Sequence, residues 1–268
     1  MKKFVYLFSL IFIFILLTGC GTVENPLVAR KVETPSDSGL AKQTEVYTFQ
    51  AEVINTEVPL LVAPDKDSNE ARSSDKISVS VQSEDITNAN GDTITLEDLK
   101  KGDFVTINYN GVILESYPAQ ITADSIAVAG HNVLYDGYMA LIDDIYQEDS
   151  GLNGEIEMIA LDTTGWTGLT DIQKEMIFSQ VKEAYGFDTV EGTYDDLVEQ
   201  GLINEDQLYF EKGILIKLSN MTYDEDKQTI TCAISKWRSG LGAVGSDEVT
   251  AQLKDGTWNI TKESRWIS

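Results

Sequence analysis

Five short runs of alternating apolar and polar residues, all before residue 130, constrain the fold of the first half of the chain. An apolar residue at every second position is typical of a β-strand with one buried face. The runs cover residues 47–53, 60–62, 77–81, 105–109 and 121–128. Strands this short leave unpaired edges unless their sheet closes on itself. We therefore predict a small all-β barrel of the OB type over residues 44–130.

The second half of the chain combines helical patterns with longer strands. Apolar residues at helical spacing predict a helix over residues 138–146, and residues 156–161 are predicted to form a strand. Four further strands are predicted, at residues 208–218, 228–237, 248–253 and 257–260. Helices followed by an antiparallel sheet indicate an α+β domain over residues 131–268, and α+β is the class predicted for the whole chain. For this domain we expect a curved sheet wrapped on helices, as in cystatin-like or NTF2-like folds.

Two capping motifs mark helices within this second domain. Thr170 and Gln173 form a capping box that opens a helix over residues 171–185, and the glycine that follows ends it. A similar motif at Thr193 predicts a short helix over residues 194–199.

The first 20 residues have the pattern of a lipoprotein signal. Two lysines precede an apolar run over residues 4–17, and a lipobox of sequence Leu-Thr-Gly-Cys ends at Cys20. This run of 14 residues is shorter than the roughly 20 that a transmembrane helix needs. We predict that residues 1–19 are removed as a signal peptide, that Cys20 carries the lipid, and that residues 20–43 form a flexible tether. The expected location is the extracytoplasmic face of the cell membrane.

The charge of the chain argues against a nucleic-acid partner. Asp and Glu number 44 against 20 Lys and Arg, which gives a net charge of −24 at pH 7. A nucleic-acid-binding surface needs clustered basic residues that replace phosphate counterions, and the basic residues here do not cluster. Attachment to the membrane is therefore expected to depend on the lipid on Cys20 and not on basic residues.

Three features with the appearance of catalytic motifs fail in their context, so no catalytic residue and no cofactor is predicted. Residues 240–245 match the letters of a dinucleotide fingerprint, but a strand follows them, which indicates a glycine-rich hairpin. Ser73 and Lys76 have the spacing of a penicillin-binding nucleophile pair but lead into a strand. His131, the single histidine, would have to serve any Ser-His-Asp or Cys-His arrangement, but it falls at the predicted domain junction, where we expect a solvent-exposed side chain.

Metal binding is not predicted either. Residues 65–76 begin like a calcium loop but lack the glycine and the closing glutamate that such a loop needs. The acidic stretches at residues 143–149 and 224–226 are typical of solvated turns, although weak calcium binding there stays an alternative. A zinc site would need paired His or Cys ligands, which the sequence does not offer. Cys232 lies in an alternating stretch, where we expect a small buried side chain.

The tryptophans of the second domain are its candidate ligand-binding residues. Trp237 stands beside Arg238, and an aromatic ring next to a cation could clamp a peptide carboxylate or a glycan ring. Trp166 is the third candidate. The alternative interpretation is that these rings fill the core between sheet and helices.

Three stretches of the first domain carry a resemblance to a known family. They are residues 73–79, residues 99–105 and the run Glu-Ser-Tyr-Pro-Ala-Gln-Ile at residues 115–121. This part of the chain, roughly a third of it, resembles a domain of unknown function in YobA-like lipoproteins of Gram-positive bacteria. The resemblance implies an OB-like fold on a secreted lipoprotein and implies no activity.

A second resemblance concerns the C-terminal part. Residues 159–164 and 236–245 are similar to an accessory domain of exported Gram-positive proteins, including extracellular parts of membrane sensor peptidases. The zinc-protease motif His-Glu-x-x-His is absent from the sequence, so the similarity does not imply peptidase activity.

Three functions remain as hypotheses. The first is a lipid-anchored binding module without catalysis, which recognises a peptide, a glycan or a membrane-protein partner. The second is an accessory or antagonist of a membrane sensor protease. The third is a cell-wall hydrolase that uses carboxylates, for which the acidic chain supplies candidates.

Overall fold

The computed structural model describes residues 45–268, which belong to one compact unit. It contains two six-stranded sheets and three α-helices. The predicted signal peptide, the lipidation site Cys20 and the tether lie outside the described residues. Within residues 45–268, no helix combines the length and the apolar character that a membrane crossing requires.

The first sheet closes into a five-stranded barrel. Five strands form the ring, and a sixth short strand, β4, is attached to it. The strands are β1 (Tyr47–Asn55), β2 (Leu60–Pro64), β3 (Ile77–Ser80), β4 (Ile86–Thr87), β5 (Asp103–Tyr109) and β6 (Ala119–His131). Neighbouring strands follow the order β3-β2-β1-β5-β6, and parallel pairing of β3 with β6 closes the ring. The predicted barrel is thus confirmed, and its form is compatible with the OB type. Strand β4 attaches to β6 outside the ring.

Alternating side chains of the barrel strands fill its interior, as the sequence pattern predicts. Each strand places every second residue on the inner face, where apolar contact stabilises the sheet. The fully buried members include Val53, Leu60, Val62, Ile77 and Ile107. One polar pair lies among them, in which the Tyr109 hydroxyl donates to Glu70 Oε1 over 2.8 Å.

The second sheet is mixed, which corrects the prediction of an antiparallel sheet. Its strands are β7 (Met158–Asp162), β8 (Asp188–Glu191), β9 (Gly213–Asp224), β10 (Thr229–Ser239), β11 (Gly242–Lys254) and β12 (Thr257–Ile267). Strands β9 to β12 form the predicted antiparallel meander, whereas β7 and β8 are parallel to each other, and β7 is parallel to β9. The physical reason is that α2 (Asp171–Tyr185) crosses over between β7 and β8 and returns the chain in the same direction.

Helices α1 (Val133–Gln147) and α2 pack on one face of this sheet, and α3 (Tyr194–Glu199) contributes to a smaller apolar cluster on it. The predicted bounds of α2 and α3 are confirmed, with both capping boxes present. Helix α1 begins at residue 133, earlier than predicted, because the Asn132 side chain accepts a hydrogen bond from the Tyr135 amide over 3.1 Å. Strand β6 therefore leads almost directly into α1.

The predicted glycine-rich hairpin joins β10 to β11. Gly245 lies where a side chain has no room, since an added Cβ would come within 2.5 Å of the Trp266 ring and 2.6 Å of the Ile234 carbonyl oxygen. The glycine thus serves close packing within the sheet.

Candidate functional site

A cleft of about 860 Å³ lies between the outer face of the barrel and the N-terminal end of α2. This volume is within the range typical of small-molecule pockets. The barrel contributes residues of β1, β2, β5 and β6, and the helix contributes its first turn. We call it the interlayer cleft. Its principal lining residues are Ala51, Glu52, Phe104, Ala129, Thr170 and Ile172.

Apolar surface with acidic groups around it characterises this cleft. Phe104 is 42% exposed, a large fraction for a phenylalanine, and it lies on the outer face of β5 directly opposite Glu52 of β1. The acidic lining residues are Glu52, Asp65, Asp75 and Asp171, and one lysine, Lys66, accompanies them. The cleft therefore offers apolar contact and a negative field to a ligand.

Glu52 is the most buried of these carboxylates, with 9% of its surface exposed. Its Oε1 accepts a hydrogen bond of 2.9 Å from Asn132 Nδ2, and its Oε2 accepts one of 2.7 Å from Gln173 Nε2. Burial raises the pKa of Glu52, and the two amide hydrogen bonds reduce this rise but leave the pKa above its usual value. Because both oxygens face donors, the arrangement suits the ionised carboxylate.

The two amides that hold Glu52 belong to the N-terminal ends of two helices. Asn132 caps α1, and Gln173 is the third residue of α2 and closes its capping box by accepting from the Thr170 amide over 2.8 Å. Helix N-termini carry partial positive charge, which stabilises a nearby anion. One carboxylate of the barrel thus fastens both helices at the edge of the cleft. Two ion pairs also hold α2 against the barrel, Lys76 with Glu175 and Lys101 with Glu183.

Like Glu52, His131 joins the barrel to a helix through polar contacts, and we call each of these two contact groups a polar joint. Its Nδ1 is 2.7 Å from Asp103 Oδ1 on the barrel, and its Nε2 is 2.8 Å from Asp136 Oδ2 on α1. The hydrogen bonds to Asp103 and Asp136 raise the pKa of His131 to about 9. At neutral pH the imidazolium therefore bridges two carboxylates, a structural use that leaves neither ring nitrogen free.

This joint predicts a pH dependence of stability. Between its ordinary pKa of 6.5 and the folded value of about 9, His131 binds its proton more tightly in the folded state. The free energy of unfolding should therefore fall by about 1–2 kcal/mol as pH rises through this window, with allowance for solvent screening. In His131→Gln this contribution should vanish, so that the variant is less stable than wild type at pH 6 and equal to it near pH 10.

Urea unfolding of both proteins from pH 6 to pH 10 measures this difference. Lys236, whose pKa burial lowers to about 8, contributes the opposite slope, but it does so in both proteins and cancels. A constant difference between the two proteins across the range would contradict the assigned charge on His131.

A smaller cavity of about 290 Å³ lies beyond the carboxyl ends of the parallel strands β7 and β8. Ligands often bind at this edge in sheets with parallel strands. Its buried carboxylate, Asp162, is already paired with Lys217 Nζ at 2.9 Å, and Thr164 donates a second hydrogen bond. Burial would raise the pKa of Asp162, but these partners lower it. We regard the interlayer cleft as the better candidate, since it combines a larger volume and apolar surface with several exposed acidic groups.

The three residues predicted to bind a ligand lie apart. Trp166 is 8% exposed in the core under α1 and α2, with its ring 5.1 Å from that of Tyr138. Trp237 packs edge-on against Tyr194 at 5.1 Å in the apolar cluster that includes residues of α3. The Arg238 guanidinium donates to the carbonyl oxygens of Leu152, Gly154 and Glu211. This geometry gives the predicted aromatic and cation clamp no support.

Lys236 is a residue that the sequence analysis missed. Its side chain is completely buried, and Nζ donates to the carbonyl oxygens of Tyr146, Glu148 and Asp149 and to Asn153 Oδ1. The ammonium thus caps the C-terminal end of α1 and holds the segment that follows it. The sequence gives no signal for this role, because Lys236 occupies an ordinary strand position some 90 residues away from its partners.

The other candidate sites have structural explanations. Lys262 forms ion pairs with Asp144 and Glu148, so this acidic stretch is partly neutralised. Among residues 45–268, no three His, Cys, Asp or Glu side chains converge to hold a metal ion. Cys232 is buried, and burial raises the pKa of its thiol to about 12. Lys76 is paired with Glu175 of α2.

No family model matches the chain, and none of the curated proteins compared with it is significantly similar. The functional interpretation therefore rests on the geometry of the interlayer cleft.

Proposed function

We propose that the protein is a lipid-anchored, extracytoplasmic binding module without catalysis, and that its interlayer cleft takes an apolar peptide segment with positive charge. The observation that carries this proposal is the cleft of about 860 Å³ with the exposed Phe104 opposite the buried Glu52. The partner with the matching chemistry is a basic amphipathic segment of a peptide or of an exported or membrane protein.

The charge of the lining favours this ligand class over the others. A neutral glycan would desolvate the exposed carboxylates Asp65, Asp75 and Asp171 without compensation, whereas lysine or arginine side chains would pair with them. Apolar side chains of the same segment would cover Phe104 and Ile172. The net charge of −24 would attract such a segment over longer distances.

The cellular setting is part of the proposal. The lipobox at Cys20 supports anchoring, and the YobA-like stretches support an OB-like assignment of the barrel, for which the parallel closure of β3 on β6 is a further argument. A cystatin-like or NTF2-like assignment of the second sheet has weaker support, because β7 and β8 run parallel. An accessory of a membrane sensor protease would be one form of such a binding module.

A substitution that fills the cleft tests the proposal. Ala129 is exposed and lines the cleft, so Ala129→Trp should occupy the ligand volume without disturbing the core. Ala184→Trp, at an exposed position near the other end of α2, is the matched control. The probes are a peptide of alternating leucine and lysine and the same peptide with glutamate in place of lysine.

Thermal shift of the full chain in detergent is the measurement. The lysine peptide should stabilise wild type and Ala184→Trp by about 2.7 kcal/mol at a hundredfold excess over Kd, and should not stabilise Ala129→Trp. The glutamate peptide should stabilise none of them. Equal stabilisation of both variants, or preference for the glutamate peptide, would refute the proposed site or its charge.

A further inference from the structure

The barrel carries an exposed apolar patch at the end where β1 begins. Its members are Val46, Tyr47, Val112, Leu114 and Tyr117, with exposed fractions of 60%, 43%, 57%, 58% and 71%. We call these residues the β5–β6 loop patch, since three of them belong to the loop between β5 and β6. Isolated apolar residues are common on protein surfaces, but a group of this kind marks a contact surface.

The strands bring Tyr47 and the start of the β5–β6 loop together at one end of the barrel, and the rest of the loop continues from there to β6. Tyr47 of β1 pairs with Tyr109, the last residue of β5, and their rings are 5.9 Å apart. The loop then folds over Tyr47, since a Cβ added to Gly111 would lie 2.5 Å from that ring. Leu114 pairs with Gln120 at the start of β6.

The position of this patch in the chain indicates what covers it. The described residues begin at Glu45, directly before the patch, and 24 residues separate Glu45 from Cys20. If these residues form the tether predicted from the sequence, with random-coil dimensions, they span about 27 Å. A lipid on Cys20 would therefore keep this end of the barrel within reach of the bilayer.

The side chains also have the chemistry of a membrane interface. Tyrosines lie with their rings among acyl chains and their hydroxyls in the headgroup region, while valine and leucine enter the apolar boundary. Glu45 and Glu115 flank the patch, so anionic lipid would not strengthen the contact. We propose that the β5–β6 loop patch is a membrane-contact surface, which inserts shallowly into a zwitterionic lipid surface and orients the barrel on it. This inference rests on the proposed lipid anchor.

Fluorescence quenching in vesicles tests the inference. Leu114→Cys would be labelled with bimane in the full-length lipidated protein, since Cys20 is blocked by lipid and the Cys232 thiol is buried. Leu241→Cys, at a position 91% exposed in the turn between β10 and β11, is the control. The vesicles contain phosphatidylcholine with a fraction of doxyl-labelled lipid. We expect a blue shift and several-fold stronger quenching at position 114 than at position 241.

The outcomes separate this inference from the anchor on which it rests. If the protein floats with the vesicles but positions 114 and 241 are quenched equally, the anchor stands and the contact surface is refuted. Energy transfer between labelled copies at position 114, without lipid quenching, would show that the patch contacts a second copy of the chain. That result would also refute the membrane contact. If the protein does not float at all, both the anchor and the inference fail.

Discussion

Replacing Glu52 with alanine is expected to lower the free energy of unfolding by about 3 kcal/mol. The substitution removes the carboxylate that accepts from Asn132 and Gln173, and it leaves two buried amide donors without their acceptor. It also removes a negative charge from the N-terminal ends of α1 and α2, where such a charge is favourable. Urea unfolding at pH 7, monitored by circular dichroism, measures the loss.

Two variants make this result specific to the joint. Glu52→Gln keeps the shape and one acceptor oxygen, so its loss should be smaller, about 1–2 kcal/mol. Glu84→Ala removes an exposed carboxylate of the barrel and should change stability by less than about 0.5 kcal/mol. If Glu52→Ala were as mild as Glu84→Ala, Glu52 would not fasten the helices to the barrel.

The second large effect concerns Lys236. We expect Lys236→Met to lower the free energy of unfolding by about 3–5 kcal/mol, because the variant leaves buried acceptor oxygens without a donor. Methionine has a similar length and fills the same space, so the loss reports the ammonium and not the packing. The affected acceptors are the carbonyl oxygens of Tyr146, Glu148 and Asp149, together with Asn153 Oδ1.

The matched control is Lys254→Met, which changes an exposed lysine on β11. Its effect should be within about 0.5 kcal/mol of zero. Hydrogen exchange gives an independent readout, since Lys236→Met should release the segment 148–154 while the barrel stays protected. If protection were instead lost throughout the protein, and not in this segment alone, the result would contradict the capping role.

Local signals explain which parts of the fold the sequence predicted well. The Thr170 capping box opens α2 at the predicted residue, and Gly186 ends it with a φ of 75°, a conformation that glycine adopts at little cost. The alternating runs of the barrel likewise fix which residues lie inside it. By contrast, β8 has four residues, none of them fully buried, so no periodicity distinguishes it from a loop. Its parallel pairing with β7 is a tertiary property.

The candidate site was less predictable, for a geometric reason. Trp237 and Arg238 are adjacent in sequence, but successive residues of a strand point to opposite faces of the sheet, so adjacency there does not make a joint site. Glu52 has the pattern of an ordinary polar residue on the outer face of a barrel strand. Only the packing of α1 and α2 against that face turns it into a buried joint. Such roles depend on partners 80 and 121 residues away in the chain.

The most direct test of the account is to locate a bound ligand on the protein. Hydrogen exchange of the full chain with and without the leucine-lysine peptide would map the contact onto individual segments. We predict slower exchange in β1, at the start of β5 around Phe104 and in the first turn of α2 around Ile172. We predict no change at the β10–β11 hairpin around Leu241. Slower exchange at that hairpin, with none along the interlayer cleft, would contradict the assignment of the cleft as the binding site.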